Sequence, residues 1–213
     1  MAIDVLLFDA YGTLWDVHSV AKRCESCWPG KGAQLSQLWR VKQLEATWLR
    51  SLMGRYAPFS AVTREALEYA CEALALALDE SQKYGLMDEY LRLATFPDVA
   101  DVFVRKIAGR TGILSNGSPD MLEPLVKRSG LKFDAVLSVD AVKVFKPAPQ
   151  VYQLAVDEFG VPKERIGFVT SNFWDAAGAK SFGFTVYWIN RGAVAAERLG
   201  LRPDRVLKSL AGL

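Results

Sequence analysis

The chain has 213 residues, 51% of them apolar, enough for one large domain or a domain that carries an insertion. Its 26 basic and 24 acidic side chains leave a net charge of +2 with no basic run of five, which excludes the electrostatic footprint of a nucleic-acid binder. No apolar run approaches bilayer length, and the three cysteines make an odd, sparse set that favours a reducing, cytoplasmic setting over a disulfide framework.

The chain opens on MAIDVLLFDA, which has no basic leader and carries an acid inside its apolar stretch, so it reads as a buried strand rather than an export signal. The run VLLF delivers one carboxylate, Asp9, into the turn FDAYGTLWD. His18 follows an Asp16-Val17 turn and reads as a helix-end residue. Cys24 and Cys27 have the spacing of half a zinc site, but Cys71 and a single histidine do not supply the other half, so no metal or redox centre is expected there. From residue 18 to about 95 only helical patterns occur. In AQLSQLWRVKQLEATWLRSLM the residues Leu35, Leu38, Trp39, Leu44, Trp48, Leu49 and Leu52 keep helical spacing, predicting one long amphipathic helix. Two more helices are predicted near 60–78 and 80–94.

After Pro97 the rhythm alternates: helix 98–109, strand TGILS, helix 119–129, strand AVLSV, helix 149–159, strand IGFVT, helix 174–182, strand TVYWI. Such alternation predicts an α/β fold, a doubly wound parallel sheet with an all-helical insertion after its first strand. The catalytic core is expected in 1–15 and 97–213 and the helical cap in 16–96. Ligands of such sheets meet the carboxyl ends of the strands.

The polar motifs fall at those ends. Asp9 closes the first strand, Ser115 and Asn116 close the second in ILSNGSPD, Lys146 comes in VFKPAP, and Ser171, Asn172 and Asp175 follow in FVTSNFWD. Together, D-x-x-G-T, S-N, K-P and S-N-x-x-D resemble the haloacid dehalogenase superfamily, over essentially the whole core. WRVKQLEATWLRSLMGRYAPF with DAYGTLWDV is similar to the 2-haloacid dehalogenases that act on the (S) enantiomer. The resemblance implies hydrolysis of (S)-2-haloalkanoic acids to (R)-2-hydroxy acids through an ester on Asp9. A phosphatase-like hydrolase of the same fold and a non-catalytic small-acid binding protein are the alternatives.

Tyr11 favours the first reading. Superfamily phosphatases have an aspartate there that protonates an alkoxide and helps hold magnesium. A halide is the anion of a strong acid and leaves unprotonated, so a dehalogenase has no use for that acid. No metal and no cofactor are expected. Asp9 is the expected nucleophile. The substrate's own carboxylate repels it, and Ser115, Asn116 and backbone N–H groups before the Ser118-Pro119 helix start are suited to bind that second anion. Arg40 has no carboxylate three or four positions away on its helix, whereas Lys42 has Glu45, so Arg40 is free to meet a pocket.

By the resemblance, Ala10 and Tyr11 join Ser115 and Asn116 around the carboxylate. Arg40, Asn116 and Trp174 take the halide, and Tyr11, Leu44, Phe59 and Trp174 wall the alkyl side. Lys146 and Thr13 hold Asp9, while Thr170, Ser171 and Tyr152 support the site. Asp175 and Asn172, with help from Lys146, are the candidates to activate water. Thr170 stands where the family commonly has serine, Val41 where it has glutamine, and Ser60 where it has a larger aromatic, departures that bear on pocket size. The expected partner is a small 2-haloacid, not nucleic acid or membrane, and the resemblance leaves room for a homodimer through the cap.

Overall fold

The computed structural model describes residues 2–104 and 109–213. Among the described residues the strands are β1 (Val5–Phe8), β2 (Arg110–Ser115), β3 (Ala135–Ser138), β4 (Ile166–Thr170), β5 (Thr185–Ile189) and β6 (Arg205–Leu207). The helices are α1 (Ser19–Cys27), α2 (Gly32–Leu52), α3 (Phe59–Ala73), α4 (Glu80–Glu89), α5 (Val99–Val104), α6 (Pro119–Ser129), α7 (Pro149–Phe159) and α8 (Phe173–Phe182). None of these helices is long and apolar enough to cross a membrane.

The chain divides into two compact units, one of Met1–Trp15, Thr95–Asn116 and Gly130–Leu213, the other of Asp16–Ala94 and Gly117–Ser129. The first holds a wholly parallel sheet of order β3-β2-β1-β4-β5-β6. Every side chain of β1 and β4 is buried, as unbroken apolar runs in a parallel sheet require. β1 pairs with β2 on one side and β4 on the other, and Phe8 lies opposite both Ile113 and Val169. Strand order therefore reverses beside β1, which makes its carboxyl end the switch point where such sheets bind ligands. The sixth strand, Arg205–Leu207, was not expected: it is a three-residue, mostly exposed edge strand too short to produce an alternating pattern. α7 packs against β2 and β3, and α8 against β4 and β5.

In the helical unit α2 packs against α1 and α3. The buried stripe of α2 is Leu35, Trp39, Gln43 and Thr47, while Leu49 and Leu52, expected on the apolar face, are 47% and 85% exposed. The polar residues tolerate burial because they are bonded: Gln43 Nε2 donates to Thr63 Oγ1 at 2.6 Å, and Thr47 Oγ1 to the Leu44 carbonyl at 2.6 Å. Trp39 Nε1 donates to the Thr63 carbonyl at 2.7 Å and its ring meets Tyr90 edge-on. α3 ends at Ala73 rather than near 78, because Ala75 takes a left-handed φ of 54° and Leu76 N–H turns back to the Cys71 carbonyl. Alanine hides that stop, which a glycine would have announced. α4 likewise ends at Glu89, short of the expected 94, and α1 was not separately foreseen. Of the helix expected at 98–109, Val99–Val104 is helical and residues 105–108 lie outside the described residues. The cysteines are free. Burial pushes the Cys24 thiol up to about 12 and Cys71 up to about 11, which leaves neither a ready nucleophile.

Candidate active site

Asp9 is the first residue past β1, and its N–H still pairs with the Val169 carbonyl of β4 at 2.9 Å. The chain then coils tightly: the N–H groups of Thr13, Leu14 and Trp15 all point to the Ala10 carbonyl. Gly12 adopts a φ of 83°, a value open to glycine at no steric penalty, and its N–H reaches the Trp15 carbonyl at 2.7 Å. That coil brings Thr13 Oγ1 within 3.1 Å of Asp9 Oδ2.

The same oxygen is served from β4. Because Phe8 and Val169 are in register, Asp9 and the residues after β4 emerge side by side. Asn172 Nδ2 donates to Asp9 Oδ2 at 2.8 Å, and Thr170 Oγ1 adds a long contact of 3.5 Å. The loop is locked further by Ser171 N–H donating to Thr13 Oγ1 at 2.8 Å and Asn172 N–H to Thr170 Oγ1 at 3.1 Å.

Asp9 Oδ1 is different: among the described residues its one donor is Lys146 Nζ, at 3.1 Å. The ammonium also donates to Asp175 Oδ2 at 2.9 Å and lies 4.8 Å from the Phe168 ring centre. Lys146 is buried, as is Asp175, whose Oδ1 accepts from the Tyr152 hydroxyl at 2.8 Å. This last bond depends on close helix packing. A Cβ at Gly178 would stand 2.5 Å from both Pro147 Cβ and the Tyr152 oxygen, so α7 and α8 approach as they do because residue 178 has no side chain.

Two carboxylates share one ammonium in a nearly dry site. Burial raises the Asp175 carboxyl to about 6, with the Asp9 charge adding to the rise and Lys146 and Tyr152 opposing it. Burial would lower the Lys146 ammonium, but the charges of Asp175 and Asp9 and their hydrogen bonds outweigh it and hold Lys146 above its ordinary value. Burial, then the Asp175 charge, puts the Tyr152 phenol well above the usual range.

Ser115 and Asn116 close β2, the other neighbour of β1, and both are buried. Asn116 Oδ1 accepts from the Lys146 N–H at 2.9 Å, a link that motif reading did not reveal. Its Nδ2 is buried with no acceptor among the described residues. A buried donor left unmade is costly, so this amide is able to donate to a ligand. Tyr11 is buried, its carbonyl 3.4 Å from Asn172 Nδ2, and Trp174 is half-buried in the first turn of α8.

The first unit thus brings together Asp9, Ala10, Tyr11, Thr13, Asn116, Lys146, Tyr152, Thr170, Ser171, Asn172 and Asp175. Arg40, Leu44 and Phe59 belong to the helical unit. There Arg40 is half-buried, donates to Gln43 Oε1 at 2.6 Å and lines a cavity of about 400 Å³ with His18, Gln37 and Tyr90. Lys42 instead pairs with Glu45 at 2.9 Å. The Ser118 hydroxyl accepts from Ser60 N–H at 3.2 Å, while its carbonyl takes the first N–H groups of α6. His18 occupies the N-cap position of α1 without a capping bond from its side chain. Arg191, not anticipated, is bonded to the Gly12 and Thr13 carbonyls and to Ser171. The available signal was its place just beyond the strand TVYWI, the position shared by the other motifs.

Among the described residues no three His, Cys, Asp or Glu side chains group as metal ligands. The sequence pattern of haloacid dehalogenase-like hydrolases matches residues 3–183. An (S)-2-haloacid dehalogenase of Pseudomonas putida is 49% identical over 98% of this chain and 94% of its own length. The crystal structure of an L-2-haloacid dehalogenase superposes with a TM-score of 0.97 at 47% identity, covering 100% of this chain and 97% of the other. That of the Xanthobacter autotrophicus L-2-haloacid dehalogenase with chloropropionic acid covalently bound gives 0.91 at 43%, covering 98% and 95%. With the family pattern matched over residues 3–183 and nearly half its residues shared with such relatives, the chain belongs to the haloacid dehalogenase-like hydrolases, within their (S)-2-haloacid dehalogenase family.

Proposed function

We propose that the protein hydrolyses (S)-2-haloalkanoic acids to (R)-2-hydroxyalkanoic acids and halide through an ester on Asp9. The observation that carries this reading is the asymmetry of the Asp9 carboxylate: Oδ2 is surrounded by Thr13, Asn172 and Thr170, whereas among the described residues Oδ1 meets Lys146 alone. Oδ1 therefore keeps a lone pair for attack, and the Lys146 ammonium orients it through the 3.1 Å hydrogen bond. Oδ1 bonds to the carbon that bears the halogen as the carbon–halogen bond breaks from the opposite side, its electron pair leaving on the halide. The substrate carboxylate is held by Ser115, Asn116 and the backbone of Ala10 and Tyr11. Arg40, Asn116 Nδ2 and Trp174 receive the halide, and Tyr11, Leu44, Phe59 and Trp174 enclose the alkyl group.

Water then adds to the carboxyl carbon of Asp9. Its proton goes to Asp175, whose raised carboxyl near 6 is matched to work around neutral pH. The negative charge that develops on Oδ2 is met by Thr13 and Asn172, whose hydrogen bonds to that oxygen support their reading as an oxyanion hole. Collapse breaks the bond from the carboxyl carbon to Oδ1, and Oδ1 departs as the product alkoxide, which takes back the proton held by Asp175 to become the product hydroxyl. Tyr152 holds Asp175, and Thr170 and Ser171 hold the Asn172 loop.

The reaction as proposed uses no metal or cofactor: the Lys146 ammonium lies between the two carboxylates, and Tyr11 stands where a phosphatase has its second acid. Residues 1–15 and 97–213 are the catalytic domain of this reading and 16–96 its cap. The exposed Val41, Leu49, Leu52 and Met53 of the α2 region support a homodimer through that cap. Free thiols support a cytoplasmic setting. Chloride release from (S)-2-chloropropionate, unchanged by a chelator, is the expected result. Release abolished by chelation would favour a metal-dependent hydrolase, and binding without release a small-acid binding protein.

A further inference from the structure

Arg191 follows β5 and spreads one guanidinium over three segments. Nη1 donates to Ser171 Oγ at 3.0 Å and reaches the Gly12 carbonyl at 3.4 Å. Nη2 donates to the Thr13 carbonyl at 3.1 Å and to the two oxygens of Asp98 at 3.1 and 3.3 Å. The group lies 3.9 Å from the Phe96 ring centre, and Asp98 Oδ2 in turn accepts from the Leu210 N–H at 2.7 Å. A planar fork can serve acceptors in several directions at fixed angles, and a lysine ammonium in the same place cannot.

Two of the clamped segments carry the donors to Asp9 Oδ2, Thr13 in one and Asn172, next to Ser171, in the other. We propose that Arg191 is a positioning residue for hydrolysis of the aspartyl ester, pinning these two loops so that the oxyanion hole at Oδ2 keeps its shape. The proposal rests on the reading of Asp9 as the nucleophile. Charge on Oδ2 distinguishes the two chemical steps. When Oδ1 alkylates, negative charge leaves the carboxylate, and the donors at Oδ2 matter less in the transition state than before it. When water adds, a full negative charge grows on Oδ2, and the same donors matter most. Loosening the hole therefore slows hydrolysis selectively, and the ester accumulates.

The test is rapid quenching of the native protein and of Arg191→Ala and Arg191→Lys with excess (S)-2-chloropropionate. Chloride, lactate and the mass of the Asp9 peptide are followed together. For Arg191→Ala we expect steady turnover to fall about a hundredfold while one equivalent of chloride per enzyme is still released rapidly and the Asp9 peptide carries the propionate ester. Guanidinium ion at millimolar concentration, far below denaturing levels, should restore about tenfold of the lost rate by refilling the clamp, which is 22% exposed at the arginine side chain. Arg191→Lys should resemble Arg191→Ala without the rescue. Chloride and lactate slowed together, with no ester and no rescue, would reduce Arg191 to a structural role. If Arg191→Ala does not fold, Ser171→Ala decides: it removes one acceptor of the clamp, and an ester fraction equal to the native one overturns the proposal. Native protein that shows neither ester nor solvent oxygen in Asp9 would overturn the nucleophile reading, and this inference with it.

Discussion

Lys146 Nζ stands 3.1 Å from Asp9 Oδ1, although 137 residues separate the two in the chain. The same nitrogen is 2.9 Å from Asp175 Oδ2, so one cation ties the proposed nucleophile to the proposed base. Both members of each pair are buried, so removing one leaves an uncompensated charge.

The origin of the product oxygen tests Asp9 itself. With enzyme in excess over substrate in water enriched in heavy oxygen, the first turnover should give unlabelled lactate and a mass increase confined to the Asp9 peptide. Asp9→Asn should abolish turnover, because an amide is a poor nucleophile. Labelled lactate from the first turnover would make Asp9 a base at most.

If Asp175 is the base, it should set the acid limb of the rate. Its carboxyl is raised to about 6 by burial, with Asp9 adding and with Lys146 and Tyr152 opposing. Only the ionised form accepts a proton, so kcat should fall as pH drops through about 6 and approach one decade per pH unit below it. Asp175→Asn should lower kcat by about a hundredfold or more and remove that limb. A limb unchanged in the variant would assign it to another group.

Arg40 and Lys42 should separate cleanly. Among the described residues Arg40 donates to the neutral Gln43, whereas Lys42 is paired with Glu45. Arg40→Ala should cut dehalogenation by about a hundredfold or more, as loss of one stabiliser of developing charge commonly does. Lys42→Ala should be nearly silent, since partly exposed ion pairs contribute little. Equal impairment would remove the distinction.

In the proposed mechanism, attack by Asp9, a carboxylate held by Ser115 and Asn116 and a halide taken by Arg40 would be three points that define one handedness at carbon. (S)-2-Chloropropionate should give (R)-lactate and the (R) substrate should be nearly inert, measured by chiral chromatography. Equal turnover of both would contradict the assignment.

Gly178→Ala tests the packing beneath the site. The new methyl would stand 2.5 Å from Pro147 Cβ and the Tyr152 oxygen, so α7 must shift away from α8 and the Tyr152 bond to Asp175 must lengthen. Overpacking of this kind destabilises by about 1–3 kcal/mol. Thermal unfolding should report that loss, and kcat should fall more than KM rises.

The alternation of strand and helix after Pro97, and the fall of Asp9, Ser115, Asn116, Asn172 and Asp175 at or just past strand ends, could be read from residue order. Turn residues, helix starts and apolar periods are written in neighbouring positions, and Pro149, Gly160 and Gly183 mark helix ends in the same local way. Tertiary contacts decided the rest. Which side of α2 is buried depended on Thr63 offering Gln43 a partner, so a polar residue went inside while Leu52 stayed out. The stop of α3 came from a left-handed alanine, and β6 exists only because β5 offers it an edge. Asp9 gains its donors because β1 and β4 run in register, setting Thr170 and Asn172 beside it across more than 160 positions of chain. Arg191 takes its acceptors from three segments at once, 20, 93 and more than 170 positions away. Periodicity and turn chemistry act over a few residues and so are visible in the string. Hydrogen bonds between strand ends act through space, and folding alone selects which of the many polar residues become partners.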